Sequence, residues 1–388
     1  MGESGEPERT RRWRLWVTVT AFVVLAAAAG IGAGWTWRAI ALEAVATADR
    51  QVVAASTALA EVTDQRGSAI DKARSAISSL SVFTEHPRPD YLPEAAATAL
   101  TAAHAELQAK STGLTFAPFD APHASADGGD LLPWTVLADV QHSEQVIRQE
   151  QADRKSKAAD LASLNAAQKK LAQAAATVYT ALAAHGEQVL TADTAASYAS
   201  KVELRHAIDG GKDGVISAQF GGSGLLQLVS TIDGVNVAEA AGEAAKQDPA
   251  YPIRAQIEDY ARSIAHGVTL DFEWHKAVSG LSDGWYSGTT QYRYEDGGWA
   301  TIDLNFTIQE GWTDGDIDAK AVVTHEVGHA QVVRPECKAL FDGPVFNEND
   351  EMWATAWAIS MGFDVGGSGI EAYGRPSDEQ IAVAGQCR

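Results

Sequence analysis

Residues 325–329 read His-Glu-Val-Gly-His, the pattern H-E-x-x-H, and this pentapeptide restricts the fold more than any other stretch. On an α-helix, residues four apart lie one above the other on one face, so His325 and His329 can ligate a single metal ion. Glu326 stands beside them, where a carboxylate can take the proton of a water that a zinc ion acidifies to a pKa of roughly 7. Two histidines leave a zinc site short of a protein ligand, so the chain must bring a third group from elsewhere. The bland alternative is a helix whose two His and one Glu are surface or core residues, and it needs no such partner.

Downstream, residues 347–362 read NENDEMWATAWAISMG, with helical composition from about Asp350. Glu351, Ala354, Thr355 and Ala358 fall at helical spacing, a small-residue face that lets this helix approach the first closely. H-E-x-x-H followed some twenty residues later by a helix opening on E-x-W-A-x-A resembles the gluzincin-type zinc metalloproteases. The resemblance spans roughly residues 250–365. It implies a zincin fold: a small twisted sheet above the His helix, an edge strand to which an extended peptide adds, and a second helix carrying the third ligand. By that match His325, His329 and Glu351 hold Zn2+ and Glu326 is the general base. Glu348 is the alternative ligand, since Asn347-Glu348 resembles the Asn-Glu start used in some members. One departure concerns the Asp that many relatives carry four residues after the ligand Glu, where it orients the first His; here the position is Thr355, a weaker acceptor for an imidazole N–H. The metzincin variant is excluded, because Val332 stands three residues after His329 in place of Gly and no third His follows. Gly328 within the helix costs about 1 kcal/mol relative to Ala, which close approach of a strand or of the second helix would explain. Tyr373 and Tyr286 are the candidates for donating to the oxyanion of peptide hydrolysis, and their positions in the sequence do not choose between them.

The N-terminus carries a second signal. Residues 1–14 form a short polar tail rich in Arg, and no charge interrupts the chain from Leu15 to about Gly34, close to the 20 residues a helix needs to cross a bilayer. Trp13 and Trp16 flank one end of the run and Trp35 and Trp37 the other. With the arginines ahead of it, residues 15–37 predict a transmembrane helix with a cytoplasmic N-terminus and the remainder of the chain extracytoplasmic in the cell membrane. A cleaved signal peptide is the competing reading, because AAAAGIGAG can supply a processing site.

Residues 38–200 read as an extracytoplasmic α-helical, coiled-coil-like stalk. Positions 45, 52, 59, 66, 73 and 80, with 48, 55, 62, 69, 76 and 83, repeat every seven residues with mostly small side chains, as in a close helical hairpin or coiled coil. HPRPDYLP breaks this helix, a shorter one follows to about Lys110, and helical composition resumes from Trp134 to about Leu190. The stalk admits homo-oligomerisation or the binding of a partner. Residues 201–250, where DGGKDG and GGSG bracket VISAQF, read as a hairpin or connecting segment. In residues 251–388 a helix from Pro252 precedes strand-like runs at Val268–His275, Thr289–Tyr294 and Trp299–Ile308. Asp314, Asp316 and Asp318 mark the start of the His helix and Pro335 its end.

The formal net charge of −21 argues against a nucleic-acid partner, since a phosphate backbone would be repelled. Cys337 and Cys387 are the two cysteines, and in an exported chain they predict a disulfide. The whole reads as an α+β chain: a transmembrane helix, a helical stalk and a C-terminal zinc metalloprotease domain acting on a peptide or protein substrate laid along the strand near Trp299. The alternative is a catalytically inactive zinc-binding envelope protein whose stalk mediates assembly.

Overall fold

The computed structural model describes residues 34–119, 132–216 and 221–388, with the exception of 87, 89 and 283. The expected α+β class with a membrane-crossing helix is corrected. The chain is predominantly helical with one small three-stranded sheet, and among the described residues no helix is long and apolar enough to cross a membrane. Residues 15–33 of the expected span lie outside the described residues. Its last residues begin helix α1, Gly34–Glu85, whose charges at Arg38, Glu43, Asp49 and Arg50 lie beyond the expected span.

The chain divides into two compact units. The first is built on α1, on α2 (Glu94–Ser111) and on the greater part of α3 (Pro133–Ala192). Of the buried positions of α1, Ala48, Leu59, Ala69, Ala73, Ala76, Leu80 and Phe83 follow the seven-residue repeat, while Ser56, Thr63 and Ile70 are buried beside it. Helix α1 pairs in parallel with α3: Ser56 Oγ donates to Glu150 Oε1 (2.7 Å), Lys157 Nζ to Thr63 Oγ1 (2.9 Å) and Arg66 Nε to Asp160 Oδ2 (3.0 Å), each across the same 94 residues of sequence. Two parallel helices hold such a constant offset, whereas antiparallel ones would not.

The second unit takes in Tyr179–Gly214 and Gly224–Arg388 together with Asp90–Leu92, so it is larger than residues 251–388. Residues 201–250, expected as a hairpin or connecting segment, lie largely in helices α4, Tyr198–Ile216, and α5, Gly221–Ala245. Leu225, Leu228, Val229, Ile232 and Val235 are buried at helical spacing, and that packing outweighs the low helix propensity of the glycines. Helix α6, Tyr251–Ser263, leads to the sheet.

Strands β1 (Thr269–His275), β2 (Gly288–Arg293) and β3 (Trp299–Asn305) lie in the order β1-β3-β2, with β1 parallel and β2 antiparallel to β3. The strand at Trp299 is therefore central and paired on both sides. It cannot receive a peptide, and the edge facing the site belongs to β2. The run read as strand to Ile308 stops at Asn305, where α7, Phe306–Asp314, begins. Helix α8, Ile317–Ala330, carries the H-E-x-x-H residues. Asp316 caps it by accepting from the Asp318 N–H at 2.9 Å. Pro335 does not end α8. It occupies the first turn of the next helix, α9 (Pro335–Phe341), where its missing N–H is not needed. Asn349 caps α10, Asp350–Ser360, through the Met352 N–H. Short helices α11 (Ile370–Tyr373) and α12 (Asp378–Ala384) follow. A Cys337–Cys387 disulfide joins α9 to the chain end.

The core of this unit lies between the sheet and α8, built from Leu270, Ala300, Ile302, Leu304, Val323, Val327, Trp353 and Trp357. Gly328 is the point of contact between α8 and α10. A Cβ there would stand 3.1 Å from both Cα and the carbonyl oxygen of Ala354, and the Trp353 indole N–H donates to the Gly328 carbonyl at 3.0 Å.

Candidate metal centre

Helices α8 and α10 bring three electron-pair donors to one point. His325 Nε2 lies 3.1 Å from His329 Nε2 and 3.2 Å from Glu351 Oε2, and His329 Nε2 lies 3.3 Å from the same carboxylate oxygen. Both histidines are buried. Three lone pairs at such distances repel one another unless a cation or a proton lies between them, and a donor set of two imidazoles and one carboxylate suits a divalent transition-metal ion. His325, His329 and Glu351 can thus hold a metal ion together. Glu348 is not among them. It sits in the turn before α10 with φ of 63°, while Glu351 stands in the first turn of α10, facing α8. A second group, Glu273, His275 and Asp303, is more exposed and lies on the side of the sheet away from α8.

The electrostatics of the centre favour positive charge. Burial works against protonation of His329, yet the carboxylates of Asp350, Glu351 and Glu326 outweigh it and push the imidazole up to about 10. Burial likewise opposes ionisation of Glu351, and the two imidazoles outweigh it, holding the carboxyl below the usual carboxylate range. His329 Nδ1 lies 3.0 Å from Asp350 Oδ1 but out of line for a hydrogen bond, so both atoms are buried without one.

The backing of His325 is not Thr355. The Thr355 hydroxyl donates to the Glu351 carbonyl at 2.7 Å, one helical turn back. His325 Nδ1–H instead donates to the backbone carbonyl of Ser368 at 2.9 Å. A carbonyl oxygen can only accept, so the ring is held in the tautomer that leaves Nε2 free for a metal. Gly369 makes this approach feasible: with φ of 104°, a Cβ there would lie 2.3 Å from Thr355 Oγ1 and 2.9 Å from His325 Nδ1.

Glu326 faces the sheet. Thr290 of β2 donates to Glu326 Oε2 at 2.8 Å, with the Glu326 backbone carbonyl also within reach at 2.9 Å. A Cβ on Gly288 would lie 2.8 Å from Glu326 Oε1, so the missing side chain makes room for the carboxylate. Tyr373 stacks on His325 with ring centroids 6.0 Å apart. Burial first, then the carboxylates of Glu351 and Glu326, push its phenol up to about 12, so it is a donor across the neutral range. Tyr286 is bound elsewhere, donating to Asp316 at 2.8 Å. Of these two tyrosines, Tyr373 is the one at the centre.

Thr290, Gly288, Asp350 and Ser368 were not legible as site residues. Ser368 acts through its backbone, which leaves no side-chain signature, although the GGSG run at 366–369 signals close backbone approach. No family model, curated protein or solved structure matches the chain.

Proposed function

We propose that the second unit is a zinc metallopeptidase of zincin type, which hydrolyses peptide bonds with Glu326 as general base. The observation that carries this reading is the convergence of His325, His329 and Glu351 with Glu326 one residue along α8, beside the open edge of β2. When bound, the zinc ion supplies Lewis acidity, polarising the scissile carbonyl and acidifying water.

The protein residues do the rest. Glu326 takes the proton of the attacking water and returns it to the leaving amine, a two-way transfer suited to a carboxylate. The Thr290 hydroxyl holds Oε2, which leaves Oε1 as the base. The Tyr373 phenol donates to the oxygen that becomes negative as the carbonyl is attacked.

The substrate strand adds to β2. The Asn305 N–H donates to the Ser287 carbonyl at 3.0 Å, and hydrogen bonding alternates along an antiparallel pair. The backbone groups of Gly288, Thr290 and Tyr292 therefore point to the edge that β3 does not use, where an extended peptide can pair with them. The Cys337–Cys387 disulfide supports work in an oxidising compartment.

The test is metal content together with turnover of a broad peptide library by the full chain. Stoichiometric zinc with hydrolysis that Glu326→Gln abolishes, while zinc is retained, supports the reading. Zinc without hydrolysis in the wild type leaves a structural metal domain and overturns the enzymatic claim.

A further inference from the structure

The Ser368 carbonyl can accept the hydrogen bond from His325 Nδ1–H only if residues 366–369 are held in place, and one side chain outside the metal-ligating set holds them. Asp318, in the first turn of α8, accepts from the Gly367 N–H through Oδ1 at 2.6 Å. Its own N–H is bound to the Asp316 cap, which fixes the Asp318 backbone at the helix start. Gly367 lies flat on that backbone: a Cβ there would stand 2.3 Å from the Asp318 carbonyl oxygen. Within the loop, the Ser368 hydroxyl donates to the Val365 carbonyl at 2.7 Å, and the side chain is fully buried. The peptide carbonyl of Ser368 then points at His325 Nδ1, two helical turns along α8 from Asp318.

We propose that Asp318 is a positioning residue for the metal centre: by seating Gly367 it aims the Ser368 carbonyl, and that carbonyl fixes the tautomer and orientation of His325. A backbone carbonyl thereby takes the part that a carboxylate would have played at position 355. A loop carbonyl is aimed only as well as its loop, so the anchoring falls to a hydrogen bond from the loop to a side-chain oxygen on a rigid helix. The tautomer claim concerns the metal-free protein, while the affinity claim rests on the zinc reading above.

The experiment uses the full chain with Asp318→Ala, Asp318→Asn and Gly367→Ala. Ring 15N shifts of His325 are read in the metal-free protein, and zinc dissociation constants by competition with a chromophoric chelator. Wild type and Asp318→Asn, which keeps an acceptor oxygen, are expected to show the Nδ1–H tautomer. Asp318→Ala and Gly367→Ala are expected to show mixed tautomers and zinc binding weakened about 10- to 100-fold, the usual effect of removing support from a ligating histidine. An unchanged tautomer and affinity in Asp318→Ala would overturn the proposal. Equal loss in Asp318→Asn and Asp318→Ala would overturn it too, since charge at the helix start would then be the cause. If the wild type binds no zinc while the tautomer still changes in Asp318→Ala, the zinc reading fails and the positioning role stands.

Discussion

Replacing Gly288 by Ala tests the placement of Glu326 without altering any ionisable group. The new Cβ would stand 2.6 Å from Glu326 Cγ and 2.8 Å from Oε1, whereas carbon atoms in contact rest about 3.5–4.0 Å apart. One side must therefore retreat by about 1 Å. Strand β2 is held to β3, with Gly288 opposite the buried Leu304, so the Glu326 side chain is the part that moves. Overpacking of this kind costs about 1–3 kcal/mol, against about 0.5–1 kcal/mol gained when Ala replaces Gly inside a strand. The net expectation is a loss of roughly 0–2.5 kcal/mol. A base displaced by about 1 Å loses about 100-fold in turnover. His325, His329 and Glu351 are untouched, so metal content is expected to match that of the wild type. Denaturant midpoints, metal analysis and hydrolysis of a quenched peptide substrate measure the three quantities. A variant more stable than wild type, with turnover unchanged, would mean that Ala simply fits and that Gly288 does not make room for Glu326.

Other perturbations separate the remaining parts of the account. Replacing both Cys337 and Cys387 by Ser opens a loop spanning 50 residues and should lower unfolding free energy by about 4 kcal/mol on the chain-entropy argument; chemical denaturation that shows no change would contradict it. Asp316→Ala removes the cap of α8 and should cost about 1 kcal/mol, read as a shift in denaturant midpoint at constant slope. Removing zinc with a chelator should lower stability by about 3 kcal/mol when free zinc had been held at 100 times its dissociation constant. The same treatment should leave a His325→Ala, His329→Ala double variant unchanged, and an equal fall in both would point to a different metal site.

The two histidines were legible because helix geometry converts a spacing of four into a shared face. Glu351 was legible because it opens a small-residue helix. Its competitor Glu348 is separated from it by the Asn349 cap, whose role depends on where the helix starts. The order of the strands was not legible: β3 follows β2 in sequence and lies between β1 and β2 in space, so the strand at Trp299 looked available when it is enclosed. Glycines misled where burial prevailed. Gly210 and Gly211 read as part of a hairpin or connecting segment, yet they lie in α4, where a Cβ at Gly211 would collide with the Tyr179 ring. Gly222 lies in α5 with the Ser79 backbone where a Cβ would be. Pro335 marks a boundary in either reading, and only the structure shows that it opens α9. Support for His325 by the Ser368 carbonyl was hidden because a backbone acceptor is common to every residue type.

Anomalous diffraction at the zinc edge from crystals of the full chain is the most direct test of the metal centre. A single strong peak is expected about 2.0–2.2 Å from His325 Nε2, His329 Nε2 and a Glu351 carboxylate oxygen. A peak ligated by Glu348 in place of Glu351, or no peak at this position in zinc-loaded crystals, would contradict it.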